Sequence, residues 1–438
     1  MGDVLGHIDS HYAAHLESRP VRTGLVGRID VDTCVIGGGF AGLHCARNLA
    51  RAGQSVGLLE AKRVGWGASG RNGGFVSDGF AEGMDNVIAR VGIDRAKRMF
   101  ALSVEGADTV RTSIREMGRD DLIAGTGGLK LSRVGDASSL LRQADLYETH
   151  FLTQRTFLDR KALSDMVKSD RYQSALFNKN AFHIDPLRYA EALADDAERF
   201  GAQVFEGTAA RHIFREKDRW YVETEQGTLR AQSVVVATSV YGGVLPKLAR
   251  ALVPVATYVV SARSPNLPLR DVIPFNGTMA DTRRAGDYFR VVGERDDARL
   301  IWGGRITTRR SQPSQLARFL RDDIESVFPQ LSGIDIERAW IGLMGYTRHK
   351  MPLIGKFWPK NSPNLWACTG FGGHGLNTTA MGGRLVADGI LGQSDTWKEF
   401  DSYRPDWVGG IVGRAAAQAK YWQMQYADWR EERADQRI

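Results

Sequence analysis

A glycine-rich turn near the N-terminus constrains the fold of this chain more than any other segment. Residues 31–42 read VDTCVIGGGFAG, in which a short apolar strand runs directly into the spacing Gly37-x-Gly39-x-x-Gly42. Gly37 allows a tight strand-to-helix turn, Gly39 lets the backbone approach a pyrophosphate, and Gly42 permits close packing of helix on strand. The pattern predicts the first βαβ unit of a doubly wound, dinucleotide-binding sheet.

The segments that follow this turn strengthen the prediction. A helical pattern of apolar residues ends at Gly53, and a second strand over residues 55–59 runs into Glu60. The helix N-terminus offers N–H groups and a positive dipole end to phosphates, and a carboxylate placed as Glu60 is accepts hydrogen bonds from a ribose. This acid favours an unphosphorylated ribose, so NAD or FAD is expected rather than NADP. A doubly wound sheet with an empty turn is the alternative.

Composition and charge narrow the class of protein. At 438 residues the chain is long enough for roughly two or three folding units, and 43% hydrophobic and 25% charged residues are ordinary for a soluble globular protein. The net charge of +7 is dispersed, with no nucleic-acid motif, which leaves a modest preference for anionic ligands. Cys34, Cys45 and Cys368 have neither metal-site nor disulfide spacing, and the first two fall in apolar core patterns.

Targeting signals and membrane spans are absent from the sequence pattern. Residues 1–20 lack the basic region and apolar core of a signal peptide, and no stretch approaches about 18 consecutive apolar residues. A cytoplasmic protein is therefore expected, with no metal and no nucleic-acid partner; the oligomeric state stays open.

A second glycine-rich segment distinguishes the two dinucleotides. Residues 61–74 read AKRVGWGASGRNGG, where an NAD-dependent dehydrogenase usually continues into another regular βα unit. Small residues let the backbone lie against a flat ligand, and Arg71 can reach a phosphate or a carboxylate. The segment favours FAD.

With this segment the chain resembles the FAD-dependent oxidases of the D-amino-acid oxidase, sarcosine oxidase and glycine oxidase type. The stretch GWGASGRNGG is similar to the branch that contains γ-glutamylputrescine oxidase, and the resemblance runs from about residue 28 to residue 395. Three further segments carry it, namely HIDPLRY at 183–189, VVVATSVYGG at 234–243 and GFGGHGLN at 370–377.

The resemblance implies an α/β fold with a discontinuous Rossmann-type FAD-binding domain and an α+β substrate domain around a mainly antiparallel sheet. The FAD-binding domain would comprise residues 28–90, 181–250 and 341–395, the substrate domain residues 91–180 and 251–340, and a helical tail residues 396–438. Local patterns agree in outline: residues 288–302 read as a β-hairpin, and residues 188–199 and 315–327 as amphipathic helices.

The tail carries an aromatic stripe of Trp422, Tyr426 and Trp429 at helical spacing, which follows Tyr421. It reads either as a membrane or partner surface or as a tail helix laid across the protein's own surface.

The role of the segment at 365–377 can also be inferred from its chemistry, without the family resemblance. A strand over 365–369 and a glycine-rich turn precede a helix predicted from about Leu376 to Leu391, with Gly382 and Gly383 allowing close packing. A flavin that accepts a hydride becomes anionic near N1 and C2=O, and a helix N-terminus aimed there stabilises that charge. His374 either contacts the flavin directly or caps the helix start.

Catalytic candidates are few because amine oxidation of this kind needs mainly orientation and electrostatics. Tyr346 resembles a substrate-facing aromatic of sarcosine oxidase relatives, with a core tyrosine as the alternative. Arg71 and His374 are the other candidates, while His349 and Lys350 read as a solvated turn. The motifs and the resemblance together predict this set of FAD contacts: Gly37, Gly39, Phe40, Ala41, Gly42, Glu60, Ala61, Lys62, Trp66, Gly67, Ala68, Ser69, Arg71, Asn72, Gly73, Gly74, Ala210, Ala237, Thr238, Tyr241, Gly342, Gly372, Gly373, His374, Gly375, Leu376 and Asn377.

Two departures from the family pattern bear on the cofactor and its reoxidation. Relatives with a covalent flavin carry a cysteine where this chain has Met344, and residues 69–72 contain no histidine for a second link, so noncovalent FAD is expected. Residues 253–260 hold none of the lysines with which several oxidases promote the reaction with oxygen. Dioxygen is the expected acceptor, with a quinone or another protein as alternatives.

The expected function is FAD-dependent oxidation of a C–N bond in an amine or amino acid, with a γ-glutamylputrescine-like ω-amine favoured. Hydride transfer to flavin N5 would give an imine, which water hydrolyses to an aldehyde or keto acid, with peroxide formed on reoxidation by oxygen. An amino-acid dehydrogenase with a quinone or protein acceptor is one alternative. A flavin-binding interaction protein without catalysis is the other.

Overall fold

A computed structural model describes residues 6–284, 286–308, 315–357 and 362–435. In chain order the strands of these residues are β1 (Gly27–Ile36), β2 (Val56–Leu59), β3 (Phe75–Val76), β4 (Ile123–Ser132), β5 (Thr156–Leu158), β6 (Ser174–Ile184), β7 (Gln203–Phe205), β8 (His212–Glu216), β9 (Arg219–Glu223), β10 (Gly227–Val236), β11 (Val253–Arg263), β12 (Thr278–Asp281), β13 (Tyr288–Val292), β14 (Arg299–Thr307), β15 (Asp335–Tyr346), β16 (Leu353–Gly355) and β17 (Leu365–Thr369).

The helices alternate with these strands in the N-terminal half and become sparser afterwards. They are α1 (His11–Ala14), α2 (Phe40–Arg51), α3 (Met84–Val91), α4 (Ile93–Glu116), α5 (Ser138–Phe151), α6 (Arg160–Ser164), α7 (Pro186–Arg199), α8 (Pro246–Ala249), α9 (Leu269–Val272), α10 (Leu316–Val327), α11 (Gly375–Ile390) and α12 (Gly410–Asp435).

The first sheet has the strand order β16-β17-β10-β1-β2-β7, with β9 and β8 added as an antiparallel hairpin beside β10. Pairing is parallel from β17 through β10, β1 and β2 to β7, whereas β16 pairs antiparallel with β17 at the opposite edge and β9 pairs antiparallel with β10. The central strands are buried on both faces, since residues 34–36 and 234–236 are almost inaccessible. Continuous apolar runs of this kind are typical of parallel sheets covered by helices.

The second sheet is mainly antiparallel, as the resemblance implies. Its order is β15-β11-β14-β13-β12-β4-β6-β3, with β5 beside β6, and only the β12–β4 pair is parallel. One face packs on a core that includes Met279, Phe289 and Trp302. The other face turns toward the first sheet, so the two sheets enclose space between them. The mixed α/β fold with a second domain is therefore confirmed.

Two glycine-rich motifs are brought together where α11 packs on α2. A Cβ on Gly383 of α11 would lie 2.8 Å from the Cys45 nitrogen and 2.9 Å from the Ala41 oxygen. Only glycine allows that approach, and the contact sets the two helix N-termini, at residues 39–40 and 374–375, toward one space.

The local predictions agree with the observed elements. The hairpin expected over residues 288–302 is formed by β13 and β14, the two amphipathic helices are α7 and α10, and α11 matches the helix predicted near residues 376–391. All three cysteines are buried and unpaired. The division into domains stays a prediction. Strands β3, β6 and β15 lie wholly or partly in the segments predicted for the FAD-binding domain, 28–90, 181–250 and 341–395 respectively. Each of these strands nevertheless pairs within the second sheet.

The tail forms α12 and lies on the protein's own surface; residues 436–438 lie outside the described part. Arg284 forms ion pairs with Asp428 at 2.8 Å and with Glu431 at 2.7 Å, both of which lie on α12. The aromatic stripe faces outward, with Trp422, Tyr426 and Trp429 exposed by 56%, 59% and 48%. Polar contacts rather than the aromatic stripe therefore attach this helix.

Across the described residues, no helix combines the length and apolarity that crossing a membrane requires.

Candidate active site

A cavity of about 1140 Å³ lies between the two sheets. The loops after β1, β2, β10 and β17 form one side of it, at the carboxyl ends of the parallel strands, and the inward face of the second sheet forms the other. Ligands of doubly wound sheets bind in crevices at those strand ends.

The phosphate loop has the geometry that its glycines predict. Gly37 has φ +116°, and a Cβ there would lie 2.7 Å from the Ala237 oxygen. A Cβ on Gly42 would lie 2.0 Å from the Gly37 oxygen, so the helix start packs directly on the turn. The Phe40 N–H donates to Ser69 Oγ at 3.0 Å, which joins the phosphate loop to the second glycine-rich segment.

Glu60 is fixed at the end of β2 by backbone donors. Its Oε2 accepts from the Gly38 N–H and its Oε1 from the Lys62 N–H, both at 2.8 Å. Burial raises the pKa of this carboxyl, which these backbone hydrogen bonds counteract. Its position in the cavity wall suits hydrogen bonding to a ribose.

The second glycine-rich segment wraps the cavity beside the phosphate loop. The Asn72 side chain donates to the Ala68 carbonyl at 3.0 Å and the Ser69 carbonyl at 2.8 Å, and it accepts from the Gly74 N–H. These bonds fold residues 68–74 onto themselves and fix the orientation of Arg71.

Arg71 is a buried cation that lacks an acidic partner among the described residues. Only 6% of it is exposed; its Nη1 lies 3.5 Å from the Ile341 carbonyl, and its guanidinium carbon lies 4.1 Å from the Trp66 ring centre. Nη2 is buried with no hydrogen-bond partner in the described part of the chain. Burial lowers the pKa of Arg71, although a guanidinium stays charged. An anionic group in the cavity would compensate this charge.

The C-terminal motif places Tyr346 and His374 in the same cavity. The Tyr346 hydroxyl lies against Gly373, where an added Cβ would approach it to 2.6 Å, and burial raises the pKa of Tyr346. His374 is the N-cap residue of α11, but its side chain makes no capping hydrogen bond. Its Nε2 instead donates to the Asp78 carbonyl at 2.9 Å, and burial lowers its pKa.

Most of the predicted contacts line the cavity. Those that do are Gly37, Gly39, Phe40, Ala41, Glu60, Ala61, Lys62, Trp66, Gly67, Ala68, Ser69, Arg71, Asn72, Gly73, Ala210, Ala237, Thr238, Tyr241, Gly342, Gly372, Gly373, His374, Gly375 and Leu376. Gly42, Gly74 and Asn377 lie behind this lining; the Asn377 amide, for example, donates to the Gly79 carbonyl at 3.0 Å. The role of each residue stays a prediction.

One neighbouring interpretation was wrong. His349, expected in a solvated turn, is 9% exposed, and its Nδ1 accepts from the Met351 N–H at 3.2 Å while its Nε2 donates to the Arg404 carbonyl at 3.1 Å. Residues distant in sequence cover this turn, which local polarity does not reveal. Lys350 is exposed as expected.

Several cavity residues were missed by sequence reasoning. They come from the second sheet and from helix α5 and its surroundings, and comprise Asp78, Lys130, Gln143, Tyr147, Arg155, Asn178, Thr257, Thr278 and Tyr288. None belongs to a contiguous motif. Strand register places those on the second sheet, and the packing of α5 and the neighbouring loops on that sheet adds the others.

FAD fits the residues present. The glycine cradle at Gly37 and Gly39 and the carboxylate of Glu60 suit a dinucleotide with a ribose and phosphates, and so does Arg71 Nη2, which has no hydrogen-bond partner among the residues that the structure describes. The cavity volume of about 1140 Å³ lies above the roughly 300–1,000 Å³ of ordinary ligand sites, which suits a ligand as large as FAD. Within the described ranges, no cluster of acidic, histidine or cysteine side chains could hold a metal ion.

Comparison with known proteins agrees with this geometry. Residues 32–389 match the family model of the DAO family, described as FAD dependent oxidoreductase. The chain is 32% identical to the γ-glutamylputrescine oxidoreductase of Escherichia coli K12, over 90% of this chain and 91% of that protein. It is 24% identical to the glycine oxidase of Bacillus subtilis 168, over 86% and 97%.

Solved structures show the same fold. The glycine oxidase of Geobacillus kaustophilus superposes with a TM-score of 0.71 at 21% identity, covering 83% of this chain and 95% of that one. The L-proline dehydrogenase of P. horikoshii gives a TM-score of 0.68 at 20% identity, covering 88% and 98%. The chain therefore belongs to the DAO family of FAD-dependent oxidoreductases, and it is an enzyme that uses FAD to oxidise C–N bonds of amines or amino acids.

Proposed function

We propose that this enzyme oxidises the terminal primary amine of a γ-glutamylputrescine-like substrate and releases an aldehyde. The supporting observation is that one continuous cavity joins the phosphate loop to Tyr346 and His374 and then extends along the second sheet as far as Lys130. A small amino acid would leave most of that extension empty. The 32% identity with the E. coli γ-glutamylputrescine oxidoreductase, over nearly the whole of both chains, supports the same substrate class.

The chain's own residues orient the reaction. The Tyr346 side chain lines the cavity beside Gly373, so its O–H can donate to a ligand bound there. The N-terminus of α11 lines the cavity at residues 374–376 and stabilises negative charge that develops next to it. When bound, FAD supplies the acceptor for the hydride that leaves the carbon next to the amine nitrogen. Loss of that hydride from the neutral amine gives a protonated imine, which water hydrolyses to the aldehyde and ammonium.

The cofactor is proposed to be noncovalent. Met344 lines the cavity at the position where covalently linked relatives carry cysteine, and a thioether cannot form that link. Acid precipitation should therefore release all FAD into the supernatant, and yellow colour retained in the pellet would contradict the proposal.

Dioxygen is proposed as the electron acceptor. The alternative is a dehydrogenase with a quinone or protein acceptor. One observation favours this alternative: strand β11 borders the cavity through Thr257 but carries, over Val253–Arg263, none of the lysines with which several oxidases promote the reaction with oxygen. Oxygen consumption with purified holoenzyme separates the two: turnover with an artificial dye and none with oxygen would support the dehydrogenase.

Anaerobic reduction of the bound flavin across a panel of amines tests the substrate class. The panel comprises γ-glutamylputrescine, putrescine, glycine, sarcosine and D-alanine. We expect γ-glutamylputrescine to bleach the flavin fastest at equal concentration. Faster bleaching by glycine or sarcosine would contradict the proposal, and no bleaching by any amine would favour a non-catalytic flavin protein.

A further inference from the structure

The part of the cavity wall formed by β4, α5 and β6 carries polar side chains that motif recognition does not explain. We call it the distal arm and define it by Lys130, Gln143, Tyr147, Arg155 and Asn178. These residues come from β4, α5, the segment after α5, and β6. The distal arm faces the same space as Tyr288 and Tyr346 and is therefore open to a molecule bound beside them.

Strand register puts Lys130 on the cavity face of the second sheet. Its neighbour Leu131 belongs to the core of the opposite face, whereas Leu129 borders both that core and the cavity. Lys130 pairs with Ala280 on β12, and Ala280 pairs with Tyr288 on β13. Two strand spacings separate Tyr288 from Lys130, which is about 10 Å.

Lys130 lacks a carboxylate partner in the part of the chain that the structure describes. Its ammonium donates to Gln143 Oε1 at 2.8 Å, and no ion pair involves it there. Desolvation by the surrounding protein lowers its pKa. The side chain is nevertheless exposed to the open space of the cavity, so its ammonium is accessible to a ligand anion there.

The other cation of the distal arm is already neutralised. Arg155 forms an ion pair with Asp78, donates to Asn178 Oδ1 at 3.1 Å, and lies over the Tyr147 ring at 4.8 Å. Its main function is to hold the wall of the distal arm. Lys130 is the cation of the distal arm that remains for a ligand.

We propose that Lys130, oriented by Gln143, binds a carboxylate at the end of the substrate remote from the oxidised amine. Because the Gln143 oxygen accepts from Lys130, the amide N–H groups of Gln143 are left to donate to the same carboxylate. A γ-glutamyl amide of a diamine carries its carboxylate about nine bonds from the reacting carbon, roughly 11 Å when extended. The Tyr288 ring lies beside Gly73 of the second glycine-rich segment, and the Cα atoms of Tyr288 and Lys130 are about 10 Å apart, so a substrate of that length can extend from this segment toward Lys130. The inference rests on the proposed function, because it names how that substrate class is selected.

A matched pair of amines isolates the carboxylate contact. The probes are γ-glutamylputrescine and N-(4-aminobutanoyl)putrescine, which lacks only the carboxylate. In anaerobic rapid mixing with the full-length holoenzyme, Lys130→Met should raise the apparent Kd of γ-glutamylputrescine about ten- to a hundredfold. The limiting rate of flavin reduction should stay unchanged, and the Kd of the carboxylate-free amine should not change.

Two further variants are controls. Lys130→Arg should recover most of the affinity because it restores the positive charge. Lys179→Met removes an exposed lysine from the next strand, β6, and should leave both amines unaffected. An equal loss of affinity for both amines in Lys130→Met, or no loss for either, would overturn the inference.

A binding measurement separates this inference from the proposed function. N-(γ-glutamyl)butylamine carries the carboxylate but no terminal amine, so its Kd is measurable from the flavin difference spectrum without turnover. If no amine reduces the wild-type flavin, the proposed function fails, yet weaker binding of this probe to Lys130→Met would still support the carboxylate site. Equal binding by wild type and variant would reject the site.

Discussion

His374 Nε2 donates to the carbonyl oxygen of Asp78 at 2.9 Å and thereby ties the start of α11 to the loop that precedes α3. The Asp78 side chain continues the connection through its ion pair with Arg155. The cofactor end of the cavity and the distal arm are thus linked through one residue. Displacement of the α11 N-terminus would therefore also disturb the wall of the substrate site.

His374→Ala should disturb both ends of the cavity. Loss of a hydrogen bond of this type costs about 0.5–1.5 kcal/mol, so we expect the rate of flavin reduction to fall by up to about tenfold and FAD to bind more weakly. Rapid-mixing absorbance and fluorescence titration of the apoprotein with FAD measure the two effects. An unchanged rate of flavin reduction together with an unchanged Kd of FAD would show that the His374–Asp78 hydrogen bond does not contribute to either.

Glu60→Ala should weaken FAD binding without changing the fold of the second sheet. The substitution removes the proposed ribose contact and the acceptor of the Gly38 and Lys62 N–H groups. Hydrogen bonds to charged groups contribute about 1.5–3 kcal/mol, so the Kd of FAD should rise at least about tenfold. Glu225→Ala, at an exposed turn, is the matched control. A wild-type Kd in Glu60→Ala would exclude the ribose role.

Gly42→Ala should be strongly destabilising. The added Cβ would lie 2.0 Å from the Gly37 oxygen, a backbone atom that cannot move without opening the phosphate loop. We expect a lower Tm and loss of bound flavin together. Gly243→Ala adds the same atom where nothing lies within 4 Å, and should keep both properties. Similar Tm values for the two variants would contradict the packing described for this turn.

Tyr346→Phe should slow flavin reduction by about tenfold while FAD stays bound. Tyr346 lines the cavity, so removal of its hydroxyl affects a ligand contact more than the fold. The limiting rate in anaerobic rapid mixing is the readout, with FAD content as control. Loss of FAD at an unchanged rate would instead identify Tyr346 as a structural residue.

Acid should destabilise the protein through its buried neutral histidines. Burial lowers the pKa of His44 to about 3, while in the unfolded chain it is about 6.5. The unfolded state then binds more protons below pH 6.5, and each such histidine costs up to about 1.4 kcal/mol of unfolding free energy per pH unit. Urea midpoints at pH 7.5, 6.5 and 5.5 should fall in that order. His44→Gln should flatten the fall, whereas exposed His212→Gln should not.

The parts of the fold and site that were predictable are those carried by contiguous motifs. The phosphate loop, Glu60 and the turn at 370–377 each combine a strand end, glycines and a helix start within a few residues, and local chemistry fixes their conformation. Lys130 and Tyr288 were not predictable as neighbours, because they are distant in sequence and meet through the parallel β12–β4 pair. The prediction that His349 lies in a solvated turn was wrong for the same reason, because its Nε2 donates to the carbonyl of Arg404, which is distant in sequence.

Anaerobic titration of the purified holoenzyme with γ-glutamylputrescine tests the central claim most directly. We predict complete bleaching of the bound FAD with one equivalent of amine consumed per flavin, and an aldehyde and ammonia as products. Bleaching by sarcosine or glycine but not by γ-glutamylputrescine would contradict the proposed substrate class, and an unchanged flavin spectrum with every amine would contradict amine oxidation itself.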